Sequence, residues 1–157
     1  MTPTDTTVQH GSFVLQRDYQ ATPAQVFSAW ASVEAKRNWF HGGTGWTQLA
    51  HSLDFRVGGL EISRGQTADG VRHDYDAHYQ DIVPDARIIL AFSMMVGPVR
   101  ISSSLLTVTV QAEGQGTRLV LTEQIAVLDS RYPLAGREEG TRWLLENLAA
   151  YVEGAPS

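Results

Sequence analysis

The sequence predicts an α+β domain: a curved, antiparallel, seven-stranded sheet wrapped on a long C-terminal helix, with two short helices after the first strand. Three observations point there. Short runs of alternating apolar and polar residues, separated by tight-turn signals, fill residues 46–127. Apolar residues at helical spacing fill 136–153. Near the start, Thr22-Pro23 interrupts the strand pattern, with Pro at the first position of a helix.

Residues 12–20 read as the first strand, with Phe13, Leu15, Arg17 and Tyr19 on one face. Val26, Phe27 and Trp30 then form the stripe of one short helix. Ser32 is placed to cap a second, which runs toward Trp39 and Phe40 and stops at Gly42, Gly43 and Gly45. Strands follow near 46–56, 59–66, 71–83, 86–96, 100–112 and 117–127. Their separators are Val57-Gly58-Gly59, Asp69-Gly70, Pro84-Asp85, Gly97-Pro98 and Gly114-Gln115-Gly116. Connections this short imply antiparallel neighbours. In the last helix Thr141, Leu144, Leu145, Leu148, Tyr151 and Val152 share a stripe, and Glu138 and Arg142 pair four apart on its flank. Gly154 and Pro156 end it. A twisted sheet of seven strands is wider than one helix, so it must curl around the helix. Where the wrap is incomplete a cavity remains, and the two short helices can close one end.

A chain of 157 residues fits one domain, expected over 12–154 after a Thr-rich, disordered lead-in at 1–11. There is no cysteine, which removes disulfides, thiol nucleophiles and cysteine-held metals. Eleven arginines stand against one lysine, Lys36, in a segment that reads as exposed helix. The net charge of −5 argues against nucleic acid or an anionic membrane as partner. No run approaches the roughly 20 apolar residues of a membrane span. The first ten residues lack the basic start and apolar run of a signal peptide, so the cytoplasm is the expected compartment.

Several short motifs occur in a telling order. They are Arg17, Ala21-x-Pro23-x-x-Val26-Phe27-x-Ala29-Trp30, Trp39-Phe40, Asp54-x-Arg56-Val57-Gly58-Gly59 and Asp81-Ile82-Val83-Pro84-Asp85-x-Arg87-Ile88. Gly116-Thr117-Arg118-Leu119-x-Leu121-Thr122-Glu123 and Gly140-Thr141-x-x-Leu144-Leu145-x-x-Leu148 complete the set. In order and spacing the chain resembles the START, birch-pollen-allergen (SRPBCC) superfamily of helix-grip folds. Within it, the chain is similar to the branch named after the activator of the heat-shock-protein-90 ATPase. The resemblance implies a fold and a cavity, not a reaction, because the superfamily includes lipid and hormone carriers, polyketide aromatases and cyclases, and ring-hydroxylase subunits. The motifs are structural and bring no catalytic residue and no cofactor with them.

Candidate chemistry is sparse. In His73-Asp74-Tyr75-Asp76-Ala77-His78, strand alternation sets Asp74, Asp76 and His78 on one face and His73, Tyr75, Ala77 and Tyr79 on the other. The aromatic face reads as the cavity side, which leaves the acidic face to solvent and no metal site. His41 and His51 complete no His-x-x-x-His motif, although His41 falls where a cavity mouth would be. Ser102, Ser103 and Ser104 lack a nucleophile elbow, and Gly42-Gly43-Thr44-Gly45 lacks the Lys-Ser/Thr ending of a phosphate loop. Arg17 and Glu123 are charges on otherwise apolar faces of the first and last strands. They are expected to form a partly buried ion pair, with Glu123 also able to orient a polar ligand group.

The expected cavity lining is Trp39, Phe40, Tyr75, Tyr79, Phe92, Met94, Leu121 and Glu123, an aromatic and adaptable surface. The expected function is a non-enzymatic module that holds a small hydrophobic or amphipathic ligand between sheet and C-terminal helix. One alternative is a cyclase- or aromatase-like enzyme using Glu123, Tyr79 or His73 for proton transfers in the same cavity. Another is an interaction protein that stimulates a chaperone ATPase, the weakest of the three because the namesake's activity involves an additional domain. An exposed sheet edge leaves a homodimer open. A carrier predicts an apolar cavity of about 300 Å³ or more with one or two polar anchors. An enzyme predicts converging titratable groups, and an interaction protein predicts a filled interior with an exposed apolar patch.

Overall fold

The computed structural model describes residues 5–154. Strand β1 (Gln9–Tyr19) leads to helices α1 (Pro23–Ser28) and α2 (Val33–Lys36). Then come β2 (Thr47–Leu53), β3 (Leu60–Gln66), β4 (Arg72–Val83), β5 (Arg87–Val96), β6 (Val99–Glu113), β7 (Gly116–Val127) and α3 (Leu134–Gly154). The seven strands make one antiparallel sheet in the order β1-β7-β6-β5-β4-β3-β2. This is the predicted α+β architecture. β1 begins earlier than expected: residues 9–11 of the supposed lead-in pair with Val127, Ala126 and Ile125. Residues 1–4 of that lead-in, and Pro156, lie outside the described residues.

The boundaries follow from local chemistry. Thr22 closes a capping box: its Oγ1 accepts from the Gln25 N–H at 3.1 Å, and Gln25 Oε1 accepts from the Thr22 N–H at 2.8 Å. Ser32 Oγ accepts from the Ala35 N–H at 3.1 Å to start α2. An extra residue at Gln80 in β4, and another at Ile101 in β6 opposite Met94 and Met95, bulge and bend those strands, which helps the sheet curve toward α3. Helix α3 buries Thr141, Leu145, Leu148 and Ala149, and its outer Arg142 and Glu138 pair at 3.0 Å.

The outer face of β4 is polar, as its alternation predicts. Arg64 pairs with Asp76 at 2.8 Å, and Arg72 with Asp74 at 3.2 Å. Among the described residues no group of three or more His, Asp or Glu is placed to hold a metal ion. No described helix is long and apolar enough to cross a membrane.

The expected Arg17–Glu123 pair does not form. β1 and β7 are neighbours, but the register sets Arg17 opposite Leu119 and Glu123 opposite Phe13. The two charges are thus four ladder positions apart, about 13 Å along the strands. Arg17 instead makes a two-pronged contact with Glu146 of α3, Nε to Oε1 at 2.7 Å and Nη2 to Oε2 at 3.0 Å. Strand adjacency was readable from the order of elements; the register that decides this pairing was not.

Candidate functional site

A cavity of about 430 Å³ lies between the sheet, the segment after α2 and the first half of α3. Trp39 is fixed first: its Nε1–H donates to the Ala29 carbonyl at 2.9 Å, and its ring meets Trp30 edge-on at 4.7 Å between centroids. Phe40 follows and packs edge-on to Tyr75 of β4 at 5.1 Å. Tyr75 in turn lies 5.1 Å from Phe92 of β5. Met94, Leu106 and Leu121 extend the apolar wall, and Leu144 and Leu145 of α3 face it. At the rim, the half-exposed Trp143 meets His41 edge-on at 5.8 Å. Trp46, also at the rim, packs its indole where a Cβ of residue 65 would stand, so β3 needs Gly65 there.

One wall is polar. Glu123 of β7 is buried, and its Oε2 accepts from Ser104 Oγ at 2.7 Å and from Arg137 Nη1 at 2.8 Å. Arg137 Nη2 also donates to Ser102 Oγ at 2.6 Å, and the guanidinium carbon sits 5.8 Å from the centre of the Phe92 ring. The partner of Glu123 is therefore an arginine of α3 rather than Arg17. Ser102 and Ser104, which share one strand face, hold this ion pair in place. His73 lines the cavity beside Trp46, and burial pushes its imidazole below the ordinary value despite Asp69 and Asp74.

Seven of the eight residues expected around a cavity do line it: Trp39, Phe40, Tyr75, Phe92, Met94, Leu121 and Glu123. Tyr79 does not. It is directed into a second, fully buried cluster that the sequence reading missed. There Lys36 Nζ and Tyr79 Oη both donate to Glu61 Oε1 at 2.7 Å, and His51 Nε2 lies 2.7 Å from Glu61 Oε2. Lys36 and Glu61 are 1% and 0% exposed, so Lys36 is not on the surface of a helix, as expected, but in the interior. Burial alone would raise the Glu61 carboxyl; the Lys36 charge and the three hydrogen bonds outweigh it and hold the group at about 2. An ionised carboxylate only accepts, so His51 presents its Nε2–H to Glu61. Lys36 Nζ also lies 4.7 Å from the centre of the Phe40 ring, which ties this cluster to the cavity wall.

A signal for the cluster existed. On β3, Glu61 alternates in step with Ser63 and Gly65, small residues that leave room for a buried ion pair. The neighbouring Leu60 and Ile62 carry the apolar signal, yet Leu60 is among the exposed hydrophobic side chains.

A curved sheet closed on a C-terminal helix around an interior cavity defines a helix-grip domain of the START class. The family model described as "Activator of Hsp90 ATPase homolog 1-like protein" matches residues 20–153, and the chain belongs to that family. Among solved structures it is similar to an uncharacterised protein from Rhizobium leguminosarum, at 45% identity and a TM-score of 0.90, over 95% of this chain and 98% of that one. It is also similar to the Mll3558 protein from Rhizobium loti, at 46% identity and a TM-score of 0.85, over 92% of this chain and 99% of that one. An AHSA1-like protein from Aeromonas hydrophila shares the fold at 18% identity and a TM-score of 0.71, over 92% and 93% of the two chains. No curated protein matches the chain.

Proposed function

We propose that this protein is a non-enzymatic, cytoplasmic binding module that holds a small hydrophobic or amphipathic ligand between sheet and α3. The observation that carries this reading is the cavity of about 430 Å³, walled by aromatic and aliphatic side chains and bearing one compact polar anchor, Glu123–Arg137. That volume lies within the range of small-molecule sites, roughly 300–1,000 Å³. An open interior favours this reading over a pure interaction module, whose interior would be filled. Arg137 already neutralises Glu123, which supports a binding role for the pair over proton transfer.

Native mass spectrometry of freshly purified protein tests the proposal. A non-covalent adduct of small-molecule mass is expected on wild-type protein and is expected to be lost from Leu144→Trp, which adds bulk to the cavity wall. An adduct that persists unchanged on the variant, or wild-type protein that stays free of adduct after incubation with a library of apolar compounds, contradicts it.

A further inference from the structure

Trp30 Nε1 on the cavity wall is buried without a partner among the described residues, and two larger groups there are also left with free bonding capacity. Tyr75 is 9% exposed and lines the cavity, and its Oη makes no hydrogen bond among the described residues. Glu123 is 1% exposed; Oε2 takes two hydrogen bonds, whereas Oε1 takes none among the described residues. Neither atom is sealed off: both keep access to the cavity, where they are free to bond to what it receives. The Phe92 ring neighbours both groups, 5.1 Å from the Tyr75 ring and 5.8 Å from the guanidinium carbon of Arg137, the partner of Glu123.

The chemistry of the missing partner can be narrowed. Oε1 of an ionised carboxylate needs a donor, while a phenol can donate to an acceptor. Burial, with Glu61 and Glu123 nearby, pushes the Tyr75 phenol well above its ordinary value, so it remains a donor. A hydroxyl group is the smallest that donates to one and accepts from the other. Charge narrows it further. Arg137 balances Glu123 and Lys36 balances Glu61, so the interior does not call for a ligand ion. A ligand carboxylate would meet Glu123, and a ligand ammonium would meet Arg137. The faces of Phe40, Tyr75 and Phe92 offer a surface for flat rings.

We infer that the cavity takes a flat, uncharged, hydroxyl-bearing molecule of the phenol class, whose hydroxyl donates to Glu123 Oε1 and accepts from Tyr75 Oη. The inference rests on the ligand-binding reading above and names the class of ligand within it.

Equilibrium dialysis with naphthalene, β-naphthol and β-naphthoate at neutral pH tests it. Wild-type protein is expected to bind β-naphthol about tenfold or more tighter than either of the others, the scale of a hydrogen bond to a charged group. Tyr75→Phe keeps the ring and is expected to cut the preference over naphthalene to about threefold or less. Glu123→Gln leaves Arg137 without its counter-charge, so β-naphthoate is expected to gain affinity. Thermal unfolding confirms that both variants fold. Naphthalene binding as tightly as β-naphthol, β-naphthoate binding tightest to wild type, or an undiminished preference in Tyr75→Phe overturns the hydroxyl inference and leaves the ligand-binding reading standing. Failure of all three probes to bind overturns the inference, whereas the ligand-binding reading falls only if the wider library of apolar compounds also fails to bind.

Discussion

Lys36 is the chain's single lysine, and it ends α2 with its ammonium 2.7 Å from Glu61 in the interior. Removing one member of a buried pair strands the other without compensation, at a cost of about 3–5 kcal/mol. Glu61→Gln and Lys36→Met are each expected to lower stability by that amount in denaturant unfolding. The double variant should lose clearly less than the sum, because neither charge is then stranded; additive losses would show that the pair is not coupled. The same residue sets an acid limit. Glu61 titrates at about 2 in the folded protein against an ordinary 4.5, so the unfolded chain takes up the proton first as pH falls. Its stabilisation is complete above 4.5 and is lost progressively toward 2, and Glu61→Gln should flatten the pH dependence of stability in that window. Arg17–Glu146 is different in kind, because both side chains keep substantial exposure and such pairs contribute little.

At the scale of elements, α3 has two jobs. Its second half packs Leu145, Leu148 and Ala149 on the sheet, while its first half presents Arg137, Thr141 and Leu144 to the cavity. Gly140 sits inside this helix, and a Cβ there would meet nothing within 4 Å. Gly140→Ala should therefore add about 0.5–1 kcal/mol through helix propensity and raise Tm by about 1–4 °C. A lower Tm in calorimetry would mean that the helix needs glycine there. Elements were the most legible part of the sequence, because alternation and turn residues repeat over many positions: all seven strands and α3 were readable, and errors fell at ends such as Gln9. The contents of the cavity wall followed from strand parity, which set Tyr75, Phe92, Met94, Leu121 and Glu123 on the inner face. What was not legible depends on register and on contacts between distant elements. Arg137 finding Glu123, Glu146 taking Arg17, and Lys36 folding inward onto Glu61 all join residues that no local pattern connects.

For the whole molecule, the cavity is a consequence of widths. One helix cannot cover the concave face of a curved seven-stranded sheet, and the segment from Trp39 to Trp46 closes only part of what α3 leaves open. Membership of the AHSA1-like family agrees with this architecture and leaves the occupant of the cavity to chemistry. A ligand that binds the folded state stabilises it, so occupancy and unfolding temperature should rise together. The central claim, that the interior is a working binding site, is tested most directly by titration with Nile red, an uncharged apolar dye. Wild-type protein should show one saturable site with blue-shifted emission, and Leu144→Trp, still unfolding cooperatively, should lose it. No saturable binding to the wild type, or equal binding to the filled variant, would contradict the account.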